Sequence, residues 1–105
     1  MEEVEVRELL ERLNVVASKL TIFPAERLLV EYRFILTELL RRAMNGFSLR
    51  RDLRWKKTNR TTYLTIEKAE AALEELEEVF RRESDRSRAI VLLEEIKGCL
   101  ISLLF

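Results

Sequence analysis

Histidine is absent from this chain. Its absence removes the commonest general base and the commonest metal ligand. It also closes the di-iron route open to helical bundles, which uses Glu-x-x-His pairs. Cysteine occurs once, at Cys99, so no intrachain disulfide and no Cys-x-x-Cys metal site can form. A lone cysteine in an apolar run reads as a small buried hydrophobe. The compartment that fits is reducing and cytoplasmic. Two glycines and one proline are too few for a β-rich domain with many tight turns. No glycine-rich phosphate cradle is present. No run of about 18 apolar residues exists, so no transmembrane helix and no membrane partner are expected. The nearest candidate, AIVLLEEIKGCLISLLF, is interrupted by Glu94, Glu95 and Lys97. The opening MEEVEVRELLERL lacks the basic-then-apolar order of a secretory signal. Glutamine is missing, and asparagine stands only at 14, 45 and 59. Few thermolabile amides among many charges suit a thermophile.

What remains is a helix-forming composition. The 105 residues fit one domain, 1–105, and 48% of them are hydrophobic. Charged residues make up 36%, with no net charge. Residues 2–20 carry Val6, Leu9, Leu10, Leu13, Val16, Ala17 and Leu20 at helical spacing. Thr21-Ile-Phe-Pro24 breaks the pattern, and Pro24 suits the first position of a new helix. That second helix is expected from about 24 to 44, with Leu28, Tyr32, Ile35, Leu36, Leu39 and Ala43 on one stripe. Gly46 after Asn45 reads as its terminator. A third helix is expected to be capped by Thr65. Its seam is Ile66, Ala69, Leu73, Leu76 and Phe80, and Glu70, Glu74, Glu77 and Glu78 lie on its outer face. Glu77 with Arg81 and Glu78 with Arg82 have favourable four-residue spacing. Ser84-Asp85 is a turn if the flanking helices pair antiparallel, and a kink if they continue as one arm. The fourth helix runs from about 86 to 104. The expected fold is therefore all-α, a single-domain bundle of about four main helices. Residues 47–64 form a short helix, a loop or a small hairpin within it.

No catalytic set emerges. The carboxylates sit in surface patterns, and serine and threonine have no histidine to activate them. An enzyme, a cofactor, a metal and a small-molecule substrate are not expected.

The polarised feature is basic. Residues 41–60 hold eight Lys/Arg and one Asp, a net +7, which leaves −7 on the other 85. Such a patch attracts phosphate backbones by releasing counterions. The candidate nucleic-acid residues are Arg41, Arg42, Arg50, Arg51, Arg54, Lys56, Lys57 and Arg60, with Trp55 and Tyr63 able to stack on bases. The competing reading is an acidic protein partner docked on the same stretch. A solvated loop is the third.

The stretch SLRRDLRWKKTNRTTYLTIEKAEAALEEL resembles a helix-turn-helix unit, with a short helix, a turn and a threonine-rich helix start. The resemblance implies a dimeric DNA-binding regulator with Arg60, Thr61, Thr62 and Thr65 entering the major groove. A second alignment makes RWKKTNRTTYLTI the β-wing of a winged helix. Both depart from the pattern. No small residue sits at the turn, and Arg54 stands where alanine would pack.

Helices two and four are apolar over more surface than their main stripes. A homodimer is expected from this, with Leu29, Phe34, Leu40, Ile90, Val91, Ile101, Leu104 and Phe105 at its interface. The functional expectation is a non-catalytic interaction or assembly module that contacts nucleic acid non-specifically through 41–60. A protein-only adaptor or oligomeric scaffold is the alternative.

Overall fold

A computed structural model describes residues 1–50, 59–82 and 85–105. Four helices account for most of these: α1 Glu2–Ile22, α2 Glu26–Met44, α3 Arg60–Arg81 and α4 Arg86–Leu104. They share one hydrophobic core, and no strand occurs among the described residues.

Local chemistry sets the ends. Glu2, Glu3 and Glu5 occupy the first turn of α1 and Lys19 the last, as the helix dipole favours. Phe23 is extended, the conformation that the residue before a proline prefers. Pro24 itself is not the first residue of α2. Ala25 is the cap and Glu26 the first helical residue, while Thr21 and Ile22 complete α1. α2 ends in a Schellman motif: Phe47 N–H donates to Arg42 O, and Gly46 N–H to Ala43 O. Gly46 has φ 91°, where a side chain would be strained.

The start of α3 corrects the sequence reading. Asn59, not Thr65, caps it, by accepting from Thr62 N–H at 3.0 Å. Thr61 and Thr62 are unfavourable in a helix interior, but here they occupy its first turn, where a strong cap outweighs propensity. Residues 60–66 are therefore helical rather than hairpin or β-wing. Leu49 and Arg50 are not helical. The rest of the expected short helix, through Trp55, lies outside the described residues. Asp85 caps α4 through Ser87 and Arg88 N–H. Thus α3 and α4 are two antiparallel helices and not one kinked arm. Arg88 pairs with Glu75, and Glu95, one heptad later, with Lys68, one heptad earlier.

α1 with α2 and α3 with α4 form two hairpins, joined through α2 against α3. α2 touches α1, α3 and α4, and for this reason its apolar arc is so wide. The backbones of α1 and α3 do not approach each other closely. The molecule measures 43 × 27 × 17 Å, so the bundle is flattened. Tyr32, Ile35, Leu36 and Leu39 of α2 meet Leu92, Ile96 and Leu104 of α4 in the fully buried centre. Each such side chain contributes about 1.5–3 kcal/mol by burial, so packing and not propensity holds these helices.

Glu77 is the second correction. It does not lie on the outer face of α3 but is buried, 7% exposed, against α2. Arg33 grips it with two hydrogen bonds, Nε to Oε2 at 2.7 Å and Nη2 to Oε1. Arg81 pairs instead with Glu78 at 3.6 Å, and the expected Glu78–Arg82 pair forms at 2.8 Å.

Candidate functional site

The basic stretch begins at the end of the bundle where α2 and α4 finish and α3 starts. Leu49 N–H donates to Leu104 O at 2.7 Å, and Ser48 Oγ donates to the same carbonyl at 3.3 Å. Arg50 N–H returns to Ser48 Oγ at 3.2 Å. The chain is thus tied to the C-terminus of α4 before the basic residues and to the Asn59 cap after them. Arg50, Arg60 and Tyr63 are exposed here. Arg51, Arg54, Trp55, Lys56 and Lys57 lie outside the described residues.

Arg41 and Arg42 stand apart from these residues, in the last turn of α2, and both are paired with carboxylates. Arg42 reaches back across the α1–α2 hairpin to Glu5 at 2.8 Å, Glu2 at 3.9 Å and Glu38 at 3.1 Å, and most of its side chain is covered. Arg41 is exposed and bonds Glu38. Hydrogen bonds from Arg41 and then Arg42 hold the Glu38 carboxyl below the usual carboxylate range. Both arginines are committed to neutralising α1 and α2. Arg42 would have to break three contacts to meet a phosphate, and spacing in sequence could not reveal this.

The expected oligomer residues divide. Leu29, Leu40 and Leu104 are buried within their own bundle. Phe34, Ile90, Val91, Ile101 and Phe105 are exposed by about half or more. The three buried ones were misassigned because α2 and α4 cross the centre of a flattened bundle, so their second rows of apolar residues find partners inside it. Cys99 is buried as expected, and that burial pushes its thiol up.

A further feature was invisible in sequence. α1 and α4 meet only loosely, leaving a groove of about 500 Å³ along their seam. Leu10, Leu13, Asn14, Ala17 and Ser18 form one wall, and Leu93, Glu94, Lys97, Leu100, Ile101 and Phe105 the other. Tyr32 of α2 is its floor, 2% exposed. The phenol makes no hydrogen bond to a described residue, yet it is not sealed from the groove. Burial alone pushes its ionisation well above the ordinary tyrosine range. A smaller depression of about 260 Å³ continues the seam toward Leu20, Pro24, Phe80 and Ile90. The available signal was the polar pair Asn14 and Ser18 beside Leu10 and Ala17 on one edge of the first helix.

Among the described residues no helix is long and apolar enough to cross a membrane, and no cluster of acidic, cysteine or histidine side chains could hold a metal ion. A family model described as "Protein of unknown function (DUF327)" matches residues 1–104. No curated protein and no solved structure matches the chain.

Proposed function

We propose that this chain, which belongs to the DUF327 family of proteins of unknown function, is a non-catalytic interaction module that holds an amphipathic helix of a partner protein between α1 and α4. The supporting observation is the groove itself. Its α1 wall spans Leu10 to Ser18 and its α4 wall Leu93 to Phe105. At a 1.5 Å rise per residue these walls are roughly 12 and 18 Å long, enough for two to three turns of a bound helix. Apolar walls with Asn14, Ser18, Glu94 and Lys97 at the rim suit the helix-in-groove mode of recognition. The Tyr32 hydroxyl offers one polar contact in the floor, which would select a helix with a polar side chain on its buried face.

The test is photocrosslinking in cells from a reactive residue at Asn14, with Glu67 on α3 as the control position. A synthetic peptide covering the captured segment is then titrated into the purified chain. The expected result is an amphipathic helical segment captured from Asn14 only, its binding weakened about tenfold or more by Ser18→Arg. Binding indifferent to Ser18→Arg overturns the reading.

A second reading, non-specific contact with nucleic acid, is favoured by the exposed Arg50, Arg60 and Tyr63 at one end of the bundle. The first turn of α3 holds no acidic residue, and its dipole adds positive potential there. Fluorescence anisotropy with single-stranded and duplex oligonucleotides at two salt concentrations tests it. Duplex binding through about five phosphates gives a log–log salt slope of roughly −4 to −5. Absence of binding at low salt removes this reading and leaves the groove.

A further inference from the structure

Gly98 is one of two glycines, and it stands in the interior of α4. Glycine is the second-worst residue for that setting, after proline. Nothing inside the subunit asks for it, since a Cβ built there meets no atom within 4 Å. It lies exposed on the face of α4 turned away from the core. Val91, Glu94, Gly98 and Ile101 step by three or four residues along that face, a heptad seam on the solvent side of a helix whose other side is already buried. Val91 and Ile101 are each about half exposed.

We infer that this face is a homodimer interface in which α4 packs antiparallel on α4 of a second copy. The occupant follows from the pattern being its own complement. A two-fold axis beside Ile96 sets Val91 against Ile101 of the other copy. It also sets Glu94 over Gly98 of the other copy, where the missing side chain leaves room for the longer one. Glu94 then comes beside Lys97 of the second chain, giving two symmetric ion pairs. Glu94 and Lys97 are exposed, and neither forms an ion pair with a described residue of its own subunit. Glu95 and Arg88, by contrast, are already engaged by α3. Such an isologous contact closes after two copies and builds no fibre. Glu94, Lys97 and Ile101 also line the α1–α4 groove, so the dimer covers the α4 rim of each groove and competes with a helix bound there.

Sedimentation equilibrium of the full chain over a wide concentration range tests this. The wild type is expected at twice the 12.5 kDa chain mass. Gly98→Leu installs a better helix former where there is space within the subunit, so its helical circular dichroism should hold or rise. Its dimer should nonetheless weaken about tenfold or more. Lys97→Glu should weaken the dimer as well, and adding Glu94→Lys to it should restore much of the loss. A wild type that stays monomeric at the highest concentration overturns the inference. A dimer unaffected by Gly98→Leu places the interface elsewhere. A double variant no better than Lys97→Glu alone overturns the antiparallel register.

Discussion

Around the central contact of α2 with α4, the two hairpins meet along two flanking seams, and these differ. Between α2 and α3 the contact is closed and carries a buried carboxylate gripped by an arginine. Between α1 and α4 it is loose, apolar with a polar rim, and floored by a phenol that makes no hydrogen bond to a described residue. Both seams are built from helices with good apolar stripes. The stripes therefore do not decide which seam closes. At α2–α3 a long Arg33 reaches across to Glu77 and bonds both of its carboxylate oxygens. At α1–α4 the residues facing the gap, Asn14, Ala17 and Ser18, are too short to fill it. The proposed docking site is the open seam, where space remains between the helices.

The largest effect should come from removing the floor of the open seam. Tyr32→Ala deletes a fully buried ring between α1, α2 and α4 and should destabilise by about 3–5 kcal/mol. Tyr32→Phe should change stability by less than about 0.5 kcal/mol, because the lost hydroxyl has no protein partner. Urea titrations of both variants check this. A loss above about 1 kcal/mol for Tyr32→Phe would mean that the phenol is bonded after all.

At the closed seam the two halves of the ion pair should be unequal. Arg33→Ala leaves a carboxylate that is 7% exposed without its counter-charge, and should cost roughly 2–3 kcal/mol. Glu77→Gln frees an Arg33 side chain that is already half exposed and can return to water, so the loss should be about 1 kcal/mol. Double-mutant analysis of the two changes measures the coupling. Equal losses would contradict the asymmetry of burial.

The same contrast explains what could be read from sequence. Four helices, their inward stripes, the Gly46 stop and the buried Cys99 follow from period and local chemistry, which act over a few residues, whereas Ser84-Asp85 reads equally as a turn or a kink. Glu77 was assigned to the outer face because it sits among Glu74 and Glu78, and its partner lies 44 residues away in the chain. Arg42 was counted with the basic stretch for the same reason, although Glu5 is 37 residues away. α3 begins before Thr65 because the Asn59 cap outweighs the low helix propensity of Thr61 and Thr62. The groove was not legible because it depends on which helices fail to meet. Of the basic surface, Arg50, Arg60 and Tyr63 stand exposed, and Arg41 and Arg42 are paired with carboxylates of α1 and α2.

Alkaline titration sharpens the comparison from the side of charge. The Tyr32 phenol ionises in the unfolded chain near its ordinary pKa of about 10, whereas burial holds it neutral in the fold well beyond that. Below pH 10 both states keep the proton and the residue adds no pH dependence. Above it the unfolded chain releases a proton that the folded one retains, so stability falls. The expected slope from this group is about 1.4 kcal/mol per pH unit. Tyr32→Phe should remove that slope. Parallel alkaline limbs for wild type and Tyr32→Phe would show that the floor of the groove is open to water.

The smallest change should convert the open seam into a closed one. Ser18 is exposed on the α1 wall of the groove, facing apolar residues of α4. Ser18→Leu lengthens it in the direction of the gap, so part of the new side chain can be buried against α4. At about 0.8 kcal/mol per buried methylene, and with only partial burial, stability should hold or rise by up to about 1 kcal/mol. A bound helix would lose its space in the same step. Thermal melts and peptide binding measured on this one variant therefore move in opposite directions if the groove is a docking site. If stability rises and binding persists, the partner sits elsewhere on the bundle. If both fall, α1 and α4 are held apart by backbone geometry rather than by the shortness of their side chains.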